Sequence, residues 1–208
     1  MCSIFGILDI KTGADALRPK ALEFSRLLRH RGPDWSGIYS SEHAILVHER
    51  LSIVDTEHGA QPLYNENKQH ILAVNGEIYN HKTLAANLGV DYSFRTGSDC
   101  EVILPLYEEF GVEFVDKLQG MFAFCLYNEA ENSYLIARDH IGIIPLYTGY
   151  DEDGNFYVAS EMKALMPICK TVSEFPPGHI FDSRVGELQK YYKRNWQKYS
   201  AIKDNTTS

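Results

Sequence analysis

At 208 residues the chain has room for one large domain or two small ones, and 44% hydrophobic against 23% charged residues is the balance of an ordinary globular protein. A net charge of −8 argues against a nucleic-acid backbone as the main partner, and four cysteines with no close pair exclude a disulfide scaffold. No basic region precedes Asp9 and no apolar run approaches the ~20 residues that span a membrane, so a leader, an anchor and a membrane partner are not expected; the expected compartment is the cytoplasm.

The first apolar run, residues 3–10, reads as a strand broken by Gly6. Residues 14–29 have helical spacing, with Leu17, Ala21, Phe24 and Leu28 three or four apart, and Gly32-Pro33 should end that helix. Strands are expected at 44–48 and 71–74, and a short helix at 82–88 closed by Gly89. Ser98 or Asp99 could cap a helix over 100–110, whose stripe is Val102, Leu106 and Phe110, ended by Gly111. Two hairpins follow, 121–127 with 133–137 and 146–150 with 156–159, the second joined through Asp151-Glu152-Asp153-Gly154. A short helix at 161–165, a turn at Pro176-Pro177-Gly178 and a strand at 179–182 complete the series.

Many strands without regularly alternating long helices make a doubly wound parallel sheet a poor fit; the expectation is an α+β fold with antiparallel strands. Cys100 and Cys125 sit in apolar surroundings and read as small buried hydrophobes. Near the end, Lys190, Lys193, Arg194 and Lys198 interleave with Tyr191, Tyr192, Trp196 and Tyr199. That stretch reads as a segment packing on its own domain or a neighbouring one rather than as a nucleic-acid site.

Chemistry concentrates at the N-terminus. Removal of Met1 would leave Cys2 with a thiol and a free α-amine on one residue. An α-amine titrates near about 7.7–8.0, against about 10.4 for lysine, so it can serve as a base without heavy desolvation. Cys2 alone is a weak signal, since it could equally begin a strand. Asn75-Gly76 follows the apolar run 71–74; it could offer a side-chain amide and a backbone N–H to a developing oxyanion, or simply be a hairpin turn. Arg50 could clamp a carboxylate with two hydrogen bonds and Asp99 could bind an ammonium, while a surface arginine and a helix cap are the plainer alternatives.

Met1-Cys2-Ser3-Ile4-Phe5-Gly6, His30-Arg31-Gly32-Pro33-Asp34, the run from His48 to Asp55, Gly59-Ala60-Gln61-Pro62 and Asn75-Gly76-Glu77-Ile78-Tyr79-Asn80 form a series. Thr96-Gly97-Ser98-Asp99, the run Leu118 to Ala123, the block Arg138 to Tyr147 and Ser160 to Leu165 continue it. In this order the blocks resemble the glutaminase domain of glutamine-dependent asparagine synthetases, within the class II glutamine amidotransferases that use an N-terminal nucleophile. The resemblance covers roughly residues 2 to 180 and departs slightly at Ser3, where many relatives carry glycine.

The resemblance implies an N-terminal nucleophile hydrolase fold, a four-layer α/β/β/α sandwich of two mostly antiparallel sheets. It implies that Cys2 is the nucleophile and that its own amine is the base. Asn75 and Gly76 would be the oxyanion donors, Arg50 the carboxylate ligand, Asp99 with Glu77 the ligands of the amino end, and Ile53 and Val54 part of the pocket wall. Arg31-Gly32-Pro33-Asp34 would be a rigid turn at the site's rim, and Arg138 with Asp139 an internal ion pair or a domain contact. The expected extent is residues 1–195, with 196–208 beginning a linker to a C-terminal synthetase domain that binds ATP and Mg²⁺; no cofactor is expected in this part. Expected partners are L-glutamine, that synthetase domain and, in one allowed assembly, a second copy of the chain.

The competing readings are the same chemistry serving another acceptor domain, a catalytically silent regulatory domain, and a zinc hydrolase suggested by His48-Glu49. The last lacks its second histidine, because Ser52 stands where H-E-x-x-H needs one, and the eight histidines are scattered, so no metal site is expected.

Overall fold

The structure, a computed structural model, describes residues 1–53 and 59–194. In chain order its strands are β1 (Ser3–Leu8), β2 (Trp35–Ser40), β3 (Ile45–Arg50), β4 (Leu63–Tyr64), β5 (His70–Ile78) and β6 (Gly120–Asn128). They continue with β7 (Ser133–Arg138), β8 (Tyr147–Tyr150), β9 (Phe156–Ala159), β10 (Thr171–Glu174), β11 (His179–Asp182) and β12 (Glu187–Lys190). The α-helices are α1 (Ala14–Ser25), α2 (His81–Ala86) and α3 (Ile103–Phe110).

The strands form two six-stranded sheets, in the orders β10-β8-β9-β1-β3-β2 and β12-β11-β7-β6-β5-β4. Every described pairing is antiparallel.

Alternation along each strand sorts its side chains into separate interlayer spaces. Phe5, Ile7, Ile45 and Val47 pack with Leu17 and Ala21 of α1 on the outside of the first sheet. Ile4, Leu8, Ala44 and Leu46 meet Ile71, Ala73, Ala123 and Cys125 between the sheets. Leu72, Val74, Phe122 and Phe124 pack with Ile103, Leu106 and Phe114 on the far side of the second sheet. Three apolar spaces separate four layers, as the resemblance implies, and coverage on both faces explains why the central strands read as unbroken apolar runs.

The strands that the sequence pattern did not suggest are β2, β4, β10 and β12, and these are the four sheet edges. Every residue of β12 is exposed, as are most of β10, so an apolar rhythm is missing where it would have revealed them. The helix expected over 100–110 is a 3₁₀ turn (Asp99–Val102) followed by α3, and Gly111, with φ of 56°, ends the α-helix before another 3₁₀ stretch (Gly111–Lys117).

The structure decides between the two readings of Asn75-Gly76. It is not a hairpin turn: β5 runs through it, with Asn75 opposite Ala123 and Gly76 opposite Phe122. Gly76 has φ of 154°, and a Cβ there would run into the Met121 and Phe122 backbone of β6, so the position admits only glycine.

Arg138 and Asp139 depart from the expected ion pair as well. Arg138 pairs with Glu174 at 2.7 Å and donates to the carbonyls of Ile144, Phe175 and Gly142. Asp139, fully buried, accepts backbone N–H groups from Ile141, Gly142, Ile143, Ile144 and Phe122 instead. Together they hold the loop between β7 and β8 and tie it to β6. The following chain returns to them, since the Tyr191 hydroxyl donates to the Arg138 carbonyl at 3.1 Å. Tyr192 stacks on His140 and Arg194 pairs with Asp116 at 2.8 Å, so this part of the basic aromatic stretch packs on its own domain; Trp196, Lys198 and Tyr199 lie outside the described residues.

Replacing Asp139 by alanine would strand those five N–H donors. The expected result is a loss of more than about 3 kcal/mol of stability, read as a fall in the urea midpoint of unfolding.

Candidate active site

The antiparallel register of β1 and β3 pairs Ser3 with Glu49, and continuing it by one residue sets Cys2 opposite Arg50. Both share the parity of Ile4 and Leu46, which face the second sheet. On β5, Asn75 has the parity of Ile71 and Ala73, which face the first. Strand alternation therefore aims Cys2, Arg50 and Asn75 at one end of the space between the sheets. A single pocket there is lined by all three and by Ile53, Gly76, Glu77 and Asp99. Val54 falls outside the described residues.

Cys2 is held at several atoms. Its sulfur accepts the Leu51 N–H at 3.3 Å and lies 3.6 Å from the Leu51 carbonyl. Its own carbonyl accepts the Arg31 Nε–H at 3.1 Å, and the next residues are tied to Ser160, whose Oγ accepts the Ile4 N–H at 2.9 Å. Arg31 is in turn paired with Glu161 at 2.9 Å, which also meets His30 and Lys163. Burial tends to raise the Glu161 carboxyl, but hydrogen bonds from Arg31, Lys163 and His30 outweigh it and hold the group below the usual carboxylate range.

The rest of that turn serves β3. A Cβ on Gly32 would strike the Glu49–Arg50 backbone, and Asp34 exchanges bonds with this region, donating its N–H to the Arg50 carbonyl and accepting the Ser52 N–H. The expected rigid turn is present, and Arg31's direct contact with Cys2 is what sequence reasoning missed. Ser3 is fully buried beneath it, its hydroxyl 3.5 Å from the Leu28 carbonyl. Met1 lines the same pocket, and while it is attached the Cys2 nitrogen is a peptide nitrogen.

Two hydrogen-bond donors stand idle here. The Asn75 side chain is 1% exposed, and its Nδ2 has no partner among the described residues. Gly76 lies opposite Phe122, but Phe122 spends its N–H and carbonyl on Asp139, away from β5. The Gly76 N–H is therefore outside the β5–β6 ladder and has no acceptor among the described residues. An unpaired buried donor such as Asn75 Nδ2 costs about 1–3 kcal/mol, so its place beside a second unpaired donor in one pocket marks a spot suited to an acceptor.

Opposite these donors, Ser98 caps the 3₁₀ turn, its Oγ accepting the Cys100 N–H at 3.3 Å. Asp99 is thereby released from capping, and its Oδ2 accepts the Ile78 N–H at 2.5 Å beside Glu77. Arg50 is 6% exposed on the other wall. A positive and two negative side chains in one small pocket suit a zwitterion.

His48 and Glu49 have other tasks than metal binding. Glu49 accepts hydrogen bonds from Ser25 and Ser36 on the outer face of β3, while His48 points inward and bonds the Val74 carbonyl at 3.0 Å. The two side chains leave β3 on opposite sides. Burial, aided by the Arg50 charge and opposed by the Val74 bond, pushes the His48 pKa down to about 3, so the ring is neutral.

The sequence profile of the glutamine amidotransferase domain matches residues 1–181. This chain belongs to that family. It is 67% identical over 207 residues to asparagine synthetase B (glutamine-hydrolyzing) of Escherichia coli K12, covering 100% of this chain and 37% of that protein. It is 54% identical over 196 residues to asparagine synthetase (glutamine-hydrolyzing) 3 of Arabidopsis thaliana, covering 94% and 34%. The chain thus spans little more than a third of the length of these relatives. Among solved structures, the glutamine phosphoribosylpyrophosphate amidotransferase of B. subtilis has the same fold, with a TM-score of 0.74 at 22% identity over 93% of this chain and 50% of that one.

The His48 shift fixes the sign of one pH dependence. Between about pH 6.5 and 4.5 the unfolded chain protonates this histidine and the folded chain does not, so stability falls as the pH is lowered through that range. Urea midpoints across it should drop in the parent, and the His48→Gln variant should show a shallower slope.

Proposed function

We propose that this chain hydrolyses the side-chain amide of glutamine, and that Cys2 is the nucleophile once Met1 has been removed. The observation that carries this reading is the pair of idle donors, Asn75 Nδ2 and Gly76 N–H, in the pocket of a thiol. Acyl transfer, of which amide hydrolysis is one case, needs a nucleophile and such oxyanion donors together.

The freed α-amine of Cys2 takes the thiol proton, and the sulfur attacks the amide carbon while the carbonyl electrons move to oxygen. Asn75 and Gly76 donate to that oxyanion. When it collapses, the carbon–nitrogen bond breaks and ammonia leaves with the proton returned by the amine. A water, giving its proton to the amine, then attacks the thioester; glutamate departs and the thiol is restored. Arg50 binds the α-carboxylate, Asp99 and Glu77 the α-ammonium, and Ile53 forms the wall beside them. Arg31 orients the Cys2 backbone from behind.

The ammonia is proposed to serve aspartate amidation by a synthetase domain beginning beyond a linker at residue 196, with residues 1–195 as the glutaminase domain. The extent and level of identity to two glutamine-hydrolyzing asparagine synthetases support that acceptor over others. ATP and Mg²⁺ are proposed to belong to the synthetase domain. The described part has no helix long and apolar enough to cross a membrane, and its cysteines are free thiols, which fits the cytoplasm.

The test is release of glutamate and ammonia from glutamine. Cys2→Ala, or a chain that quantitatively retains Met1, should lose turnover. Asn75→Ala should lower kcat by about 10²–10³-fold with little change in KM, since its donor acts mainly on the developing charge. Parent-level hydrolysis by the Cys2→Ala protein would refute the proposal.

A further inference from the structure

β4 pairs with β5 only at Leu63↔Leu72 and Tyr64↔Ile71. Beyond Leu72, the edge of β5 that faces the site has no neighbouring strand among the described residues, and its N–H and carbonyl groups need other partners. Side chains from separate parts of the sequence supply them. Gln61 Oε1 accepts the Val74 N–H at 2.9 Å, and His48 bonds the Val74 carbonyl at 3.0 Å. The Cys100 thiol donates to the Gly76 carbonyl at 3.5 Å. Asp99 accepts the Ile78 N–H, and His81 bonds the Ile78 carbonyl at 2.9 Å. Of the six groups that Val74, Gly76 and Ile78 turn to this edge, five are stapled and, among the described residues, the Gly76 N–H alone is left over.

We propose that Gln61 is a positioning residue for the oxyanion site, acting through the Val74 peptide that it pins. This rests on the glutaminase reading above. The Asn75–Gly76 peptide carries one of the two donors, and Asn75 carries the other; the backbone just before them is fixed by Gln61 and His48 together. Gln61 is itself anchored on the other sheet. Gly37 of β2 has no Cβ, and one built there would occupy the Gln61 carbonyl, so the bare glycine lets the Gln61 backbone lie against β2. Its side chain therefore spans from the edge of the first sheet to β5 of the second. That bridge sets the distance between the wall carrying Cys2 and the wall carrying the donors. Nothing in the glutamine chemistry requires Gln61 to touch the reacting atoms, although it lines the same pocket.

The test is Gln61→Met, which keeps the length of the side chain and removes the amide acceptor. Two rates are measured on the full chain with Met1 removed: glutamine hydrolysis, and alkylation of Cys2 by chloroacetamide, followed by peptide mass mapping that distinguishes Cys2 from the three other free cysteines. Displacement at a saturated carbon builds no oxyanion. The expected result is a kcat lower by about 10- to 100-fold, with KM and the alkylation rate near those of the parent. If Gln61→Met is insoluble, Gln61→Asn, whose acceptor is one methylene short, should show the same selective loss of kcat.

An unchanged kcat while Asn75→Ala falls would overturn the role of Gln61 and leave the oxyanion assignment standing. Equal losses of hydrolysis and alkylation would also overturn it, by showing a general collapse of the pocket. An unchanged kcat in Asn75→Ala would instead refute the assignment on which the proposal rests.

Discussion

The site depends on the covering of both sheets on both faces. A strand buried on one face can slip or tilt at modest cost, but β1, β3 and β5 each feed two apolar spaces at once, and a shift by one residue would exchange both sets of side chains. Register is therefore fixed to the residue. Because it is fixed, Cys2 falls opposite Arg50 and Asn75 falls on the matching face of the other sheet. The reactive end of the molecule is where these apolar layers give out, and the last inward positions there are thiol, guanidinium and amide.

The same geometry makes the site's donors costly to keep. Asn75 Nδ2 is buried without a partner among the described residues, and the half-buried Gly76 N–H beside it has no acceptor there either. Much of the surrounding polar structure is satisfied, although Arg31 Nη2 and His48 Nδ1 are also buried without a partner among the described residues. The carboxylate of Asp139 absorbs backbone donors from the loop behind β6, Arg138 absorbs carbonyls from the same loop, and Glu161 holds Arg31 against the Cys2 carbonyl. Buried charge here is spent on loop backbone and on orienting the N-terminus.

Much of this was legible in the chain. Central strands and the helices announced themselves by apolar rhythm, and the four-layer arrangement followed from the family resemblance. The edge strands β2, β4, β10 and β12 were not legible, since an edge has fewer neighbours to demand apolar side chains. Arg138 and Asp139 misled for a related reason. Adjacent opposite charges suggest a pair, yet consecutive residues of a strand end point to opposite sides, and each found its partners elsewhere.

Cys2 behind a removable Met1, the block containing Asn75-Gly76, and the candidates Arg50 and Asp99 were all determined by the sequence itself, because residue type limits the chemistry a side chain can do. The tertiary structure decided what each of them is near. Whether Asn75-Gly76 turns or runs straight depended on the β6 backbone that excludes a Cβ at Gly76. Whether Asp99 caps a helix depended on Ser98 doing so first. That the Gly76 N–H is the group left over depended on Gln61, His48, Cys100, Asp99 and His81 arriving from distant parts of the chain. Vacancy is a property of all the partners around a group, and no local pattern encodes it.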